Sequence, residues 1–149
     1  TAGLMHHIGK TAPANSHHDE YERVMATVYN ERRSFTEVEN QVFGFNHAEL
    51  GAAVVQQWGL PDSLVLTIQH HHSPEVLPQL DDHVARLCAL TSVTSMCLSK
   101  LGVGRSRPID DLDLSAMPAW VFLDLTRDDV EPILTECAER IKESQALVG

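Results

Sequence analysis

An all-α fold is what this sequence predicts, and three observations carry it. Apolar residues recur at three- and four-residue spacing in segment after segment. No stretch alternates apolar and polar residues long enough for a convincing sheet. Helix start and stop signals flank the periodic segments. At 149 residues, 43% hydrophobic and 21% charged, the chain suits one domain with a real core rather than two.

Each element follows from local chemistry. Leu4-Met5-His6-His7-Ile8-Gly9-Lys10 reads as an apolar helical segment carrying a histidine pair. Tyr21, Val24, Met25, Val28 and Tyr29 form a stripe ending near Arg33. Ser34 with Glu37 is a capping signal for a short helix that stops by Gly44, and Asn46 with Glu49 repeats it. His47, Leu50, Gly51, Val54 and Trp58 then share one predicted face before Gly59 supplies a stop. Pro61 suits the first turn of the next helix, whose inner face is Leu64, Ile68, His71 and His72, ended by Ser73-Pro74.

A loop with Pro74 and Pro78 precedes a long helix over 81–101, with Val84, Leu87, Cys88 and Leu98 inward and Gly102 and Gly104 closing it. The stretch 105–115, with Pro108, Asp110, Asp111 and Asp113, reads as a solvated linker. A short helix over 119–123 follows. Thr126 with Asp129 then starts a last helix over 127–147, whose inner face is Val130, Ile133, Leu134, Cys137, Ala138 and Ile141. Trp58 and Trp120 are expected as core anchors, and His17-His18 as part of a solvated face.

Composition excludes several functions. Eleven basic against 21 acidic residues leave a formal charge of −10, which disfavours general nucleic-acid binding. No apolar run approaches the roughly 18 residues that span a bilayer, and no basic stretch precedes an apolar one at the start, so no membrane association and a cytoplasmic location are expected. Cys88, Cys97 and Cys137 form no CxxC pair and read as core thiols. Nine histidines stand out. Imidazoles brought together could hold a transition metal that activates water against a phosphoester, while the bland alternative is a set of hydrogen-bonded core side chains.

The order of the histidine segments carries a family resemblance. Leu4-Met5-His6-His7-Ile8-Gly9-Lys10 resembles the Leu-Leu-His-Asp-Ile-Gly-Lys helix of the HD phosphohydrolase superfamily. Phe43-Gly-Phe-Asn-His-Ala-Glu-Leu-Gly51, Trp58-Gly-Leu-Pro61 and Ile68-Gln-His-His-His-Ser-Pro74 together resemble the HDOD domain, a signalling relative of that superfamily and of the HD-GYP phosphodiesterases. Ala119-Trp120 and Leu123-Asp-Leu-Thr126 resemble the end of that domain, so the resemblance spans residues 2–147. It implies a compact multi-helix HD-superfamily-like fold, with 1–149 the C-terminal portion of one HDOD-like domain that lacks its N-terminal helices. Those helices would cover Leu4, Ile8 and Trp58.

The superfamily's metal site uses an upstream histidine, a His-Asp pair and a late aspartate. His6 matches the histidine of the pair, His7 stands at the aspartate, Ala89 falls at the late aspartate, and the upstream histidine would precede Thr1. A carboxylate can bridge two hard cations and offset their charge, which a neutral imidazole does not do. The resemblance therefore implies a non-catalytic signalling or regulatory module without a cofactor, working through signalling proteins or fused signalling domains. A residual metal-dependent phosphohydrolase is the alternative. There His6, His47, His71 and His72 would ligate a single divalent metal ion, the last three resembling additional HD-GYP histidines, with Asp81 or Asp82 replacing the late acid. A third reading is a nucleotide sensor, hinted at by Arg32, Arg33, Arg105 and Arg107. A homodimer is left open.

Overall fold

Side-chain caps begin the middle helices where their sequence signals stand. In the computed structural model, which describes residues 1–103 and 109–148, the Ser34 hydroxyl accepts from the Glu37 N–H and starts α4 (Phe35–Phe43). The Asn46 side chain accepts from Ala48 and Glu49 N–H groups while the Glu49 carboxylate accepts from the Asn46 N–H, a complete capping box that starts α5 (His47–Gln57). Gly44 and Gly59 follow these helices at positive φ, where a side chain would be strained.

Every regular element among the described residues is helical. In order these are α1 (Ala2–Met5), a 3-10 turn (Ile8–Lys10), α2 (Thr11–Ser16), α3 (His18–Glu31), α4, α5, α6 (Asp62–His70), a 3-10 segment (Pro74–Gln79) and α7 (Asp82–Lys100). A 3-10 turn (Leu114–Ala116), α8 (Pro118–Phe122), a third 3-10 turn (Arg127–Asp129) and α9 (Val130–Val148) complete the chain. None of the described helices is long and apolar enough to cross a membrane. Backbone packing groups the chain into two compact units, Thr1–Thr91 and Ser92–Gly149.

In the first unit, Ala52 and Val55 of α5 pack on Leu64, Val65 and Ile68 of α6, with Ala2, Met5, Ile8 and Leu60 against that cluster. Val24, Val28 and Val38 join α3 to α4 beside Phe35 and Phe43. Gly9 lets the Ile8–Lys10 turn abut the start of α5, because a Cβ there would overlap the His47 carbonyl oxygen and the Gly51 nitrogen. In the second unit, Cys97, Leu114, Ala119, Trp120 and Leu134 are buried. Trp120 donates its indole N–H to the Thr126 carbonyl at 3.0 Å. The Asp129 carboxylate accepts from the Thr126 N–H and hydroxyl at 2.7 and 2.6 Å.

Several sequence expectations change. The N-terminal segment is not one helix but a short helix, a bend at His6-His7 and a 3-10 turn. The buried face of α5 is His47, Ala48, Gly51, Ala52 and Val55, with Leu50 and Val54 partly exposed. Close neighbours on this side select the smallest residues rather than the bulkiest. Trp58, expected as a core anchor, is 59% exposed, whereas Trp120 is fully buried. Leu4 is 92% exposed. The Pro74–Gln79 loop is a 3-10 segment, and the 105–115 linker ends in order, since Leu114 is buried and Asp113 caps the turn after it. The last helix opens as a 3-10 turn. Gly104, Arg105, Arg107 and Pro108 lie outside the described residues.

Candidate metal centre

Three chain segments bring imidazoles to one place in the first unit. The bend after α1 presents His6 and His7, the first residue of α5 presents His47, and the end of α6 presents His71 and His72. Ring centroids lie 5.1 Å apart for His7 and His47, 5.0 Å for His47 and His72, 5.6 Å for His7 and His71, and 3.9 Å for His71 and His72. One ring nitrogen from each of His7, His47, His71 and His72 lies within 4.8 Å of the other three.

The outward nitrogens of His71 and His47 are already engaged. His71 Nδ1 donates to the Ile68 carbonyl at 2.7 Å, so its Nε2 carries a lone pair; that atom is buried and has no hydrogen-bond partner. His47 Nδ1 lies 2.6 Å from Glu39 Oε2, which also accepts from the His47 backbone N–H at 2.9 Å. The second contact favours the carboxylate, so we assign the proton to His47 Nδ1 and leave its Nε2 unprotonated. That Nε2 stands 3.1 Å from His72 Nε2. A metal-ligating histidine characteristically donates its other nitrogen to a carboxylate or carbonyl in this way.

Electrostatics keep the rings neutral. Burial pushes His47 and His72 down to about 3 and His71 down to about 2, and it also lowers His6 and His7, with the Lys10 ammonium acting in the same direction on His6, His7, His47 and His72. Burial pushes the Glu39 carboxyl up, opposed by the His47 N–H and the Lys10 charge. Although Glu39 and His47 are close enough for an ion pair, desolvation opposes that doubly charged state. Neutral imidazole is the form that binds metals.

Of the four ligands the sequence suggests, the structure gathers His47, His71 and His72. His6 lies alongside, its centroid 3.9 Å from that of His7 and 5.1 Å from that of His71, but its Nδ1 is hydrogen-bonded to the Gly3 carbonyl at 2.9 Å and His7 takes its place in the cluster. The bend after α1 decides this: a continuous helix would separate neighbouring side chains by about 100°, given 3.6 residues per turn. The substitutes proposed for the late acid do not join the cluster: Asp82 pairs with Arg86 and Asp81 caps the start of α7, while Ala89 is core. Arg33 is paired with Glu37 and Glu31.

Glu39 was missed, although it is the buried charged side chain that orients His47. Its signal is an acid four residues after Phe35, on the apolar stripe of α4. Beside the cluster, a cleft of about 320 Å³ is lined by Asn40, Asn46, Glu49, Gln69, His72 and Ser73, among others.

The HDOD domain family model matches residues 1–74. The fold is similar to that of a crystal structure of an HDOD domain protein of unknown function from Geobacter sulfurreducens, with a TM-score of 0.73 and 25% identity over 96% of this chain. The chain spans about half of that structure, 51% of its length. No curated protein matches the chain.

Proposed function

Since this chain belongs to the HDOD family, related to the HD phosphohydrolases, we propose that it is a regulatory module without hydrolytic turnover, acting in the cytoplasm through contacts with signalling proteins or fused signalling domains. Residues 1–149 are read as the HDOD-like portion. One observation carries this reading: His7, which the family resemblance sets at the aspartate of the pair, offers an imidazole nitrogen to the cluster. A carboxylate between two cations can hold both and offset their charge, and the cluster among the described residues is made of four histidines. The nearby carboxylate, Glu39, is held on the Nδ1 side of His47, away from the face that the other imidazoles share. Four nitrogen donors support binding of one ion rather than activation of water by a pair.

The test is turnover. Tag-free protein incubated with Mn2+ or Fe2+ should release no phosphate or linear dinucleotide from phosphomonoesters or cyclic dinucleotides. Hydrolysis above the metal-only blank that disappears in His47→Ala would replace this reading with the residual phosphohydrolase.

A further inference from the structure

We infer that His7, His47, His71 and His72 form a closed site for a single late first-row divalent cation, with Zn2+ as the type, and that the ion ties the segment after α1 to the start of α5 and the end of α6. The inference stands apart from the regulatory reading, since an ion could bind here whether or not the chain hydrolyses anything.

Three features support it. The first is donor geometry. A tetrahedral zinc with bonds near 2.05 Å places neighbouring nitrogens about 3.4 Å apart. His47 Nε2 and His72 Nε2 are already 3.1 Å apart, and the whole set falls within 4.8 Å, so small side-chain adjustments complete the tetrahedron. The second is the His71 Nε2 lone pair, buried and without a partner. A buried polar atom left unsatisfied is costly, and a cation in the cluster would satisfy it. The third is orientation, because Ile68 and Glu39 fix the outer nitrogens of His71 and His47.

Donor chemistry selects the ion. Imidazole favours zinc, nickel, copper and cobalt over magnesium, calcium or manganese, which prefer oxygen. Four protein ligands also leave no position for a reactive water, as in structural rather than catalytic zinc sites. His7 and His72 remain partly accessible, which gives the ion a way in. Glu39 is a positioning residue, acting on the ion only through His47.

The experiment is calorimetric titration of Zn2+ into the chelator-stripped, tag-free chain, with His7→Ala, His71→Ala, Glu39→Gln and His6→Ala beside it and a thermal melt of each. Expected are one equivalent bound, a melting temperature raised by several degrees and lowered again by chelator, and about 100-fold weaker binding in the first two variants. Glu39→Gln should weaken binding by about 10-fold or more with the stoichiometry kept, and His6→Ala should bind as the parent does. Absence of saturable one-to-one binding by the parent overturns the inference, as does binding that persists in both His7→Ala and His71→Ala, which would place the ion on surface histidines such as His17 and His18. Should those variants not fold, the Co2+-loaded parent decides. Intense visible bands of a four-coordinate ion support the site; the weak bands of a six-coordinate ion refute it.

Discussion

The two units have interiors of opposite character. Among the described residues, the buried polar or charged side chains Glu39, His47, Thr67, His71 and Thr91 all belong to Thr1–Thr91. The interior of Ser92–Gly149 is Val93, Cys97, Leu114, Ala119, Trp120 and Leu134, where the polar atom of Trp120 has its partner and burial holds the Cys97 thiol up at about 11. Desolvating a polar group costs free energy that only a good partner offsets. The second interior needs only packing, whereas the first keeps imidazoles and a carboxylate where aliphatic side chains would pack more simply. The contrast teaches where to look for activity: in the first unit, at the place where packing alone would not have chosen these residues.

Breaking the apolar side of the comparison should have the largest effect. Trp120→Ala removes a fully buried indole and its hydrogen bond, and should cost about 3–5 kcal/mol in chemical denaturation. Its destabilisation should be the same at pH 7.5 and pH 5. A large change between the two pH values would show that the second interior is also electrostatic.

Next comes the contact that assembles the polar side. Gly9→Ala forces a methyl group into the backbone of α5 and should cost about 3 kcal/mol in the same measurement, overpacking against backbone being hard to relieve. It should also weaken zinc binding, because His7 sits two residues before the displaced position. A fully stable Gly9→Ala protein would mean that the turn and α5 are not in close contact.

The smallest effect sharpens the contrast through pH. His47 and His72 near 3 and His71 near 2 lie below their ordinary value of 6.5, so the unfolded chain takes up protons that the folded chain refuses. Their contribution to stability is fully present above pH 6.5 and is lost as pH falls towards 3. The raised Glu39 carboxyl acts in the opposite sense, because the folded chain takes up its proton more readily than the unfolded one. In the second unit, hydrogen bonds hold Asp113 and Asp129 below 3.8, so their contributions persist until pH falls below that value. A melt followed by Trp58 fluorescence in Trp120→Phe should therefore drop by at least about 4 °C, roughly 1 kcal/mol for a chain of this size, between pH 7.5 and pH 5. One followed by Trp120 fluorescence in Trp58→Phe should drop less. Equal drops would mean that the units unfold together or that the histidines are not buried.

Much of this was legible in the sequence where the cause is local. Ser34 with Glu37, Asn46 with Glu49 and Thr126 with Asp129 act across three residues, and the structure finds their hydrogen bonds in place. The family motif likewise pointed to His47, His71 and His72. Glu39 and Gly9 were not legible because their roles depend on what lies across from them. An acid at i+4 of an apolar stripe is ordinarily solvated, and a glycine without positive φ shows its purpose only when another backbone touches it. Trp58 misled for the same reason, since a large apolar side chain becomes core only if a neighbour covers it.

By itself, the sequence determined the helical class, the starts and stops of the middle helices and the charge that disfavours nucleic acid; the family resemblance adds the expectation that His7 stands where an aspartate would. Tertiary structure decided that His7 rather than His6 meets His47, His71 and His72, and that Glu39 is buried behind them. Helix signals are short-range hydrogen bonds and dihedral preferences written within a few residues. Convergence of side chains from three segments depends on a bend, a close backbone approach at Gly9 and the packing of α5 on α6, which exist only once the chain has folded.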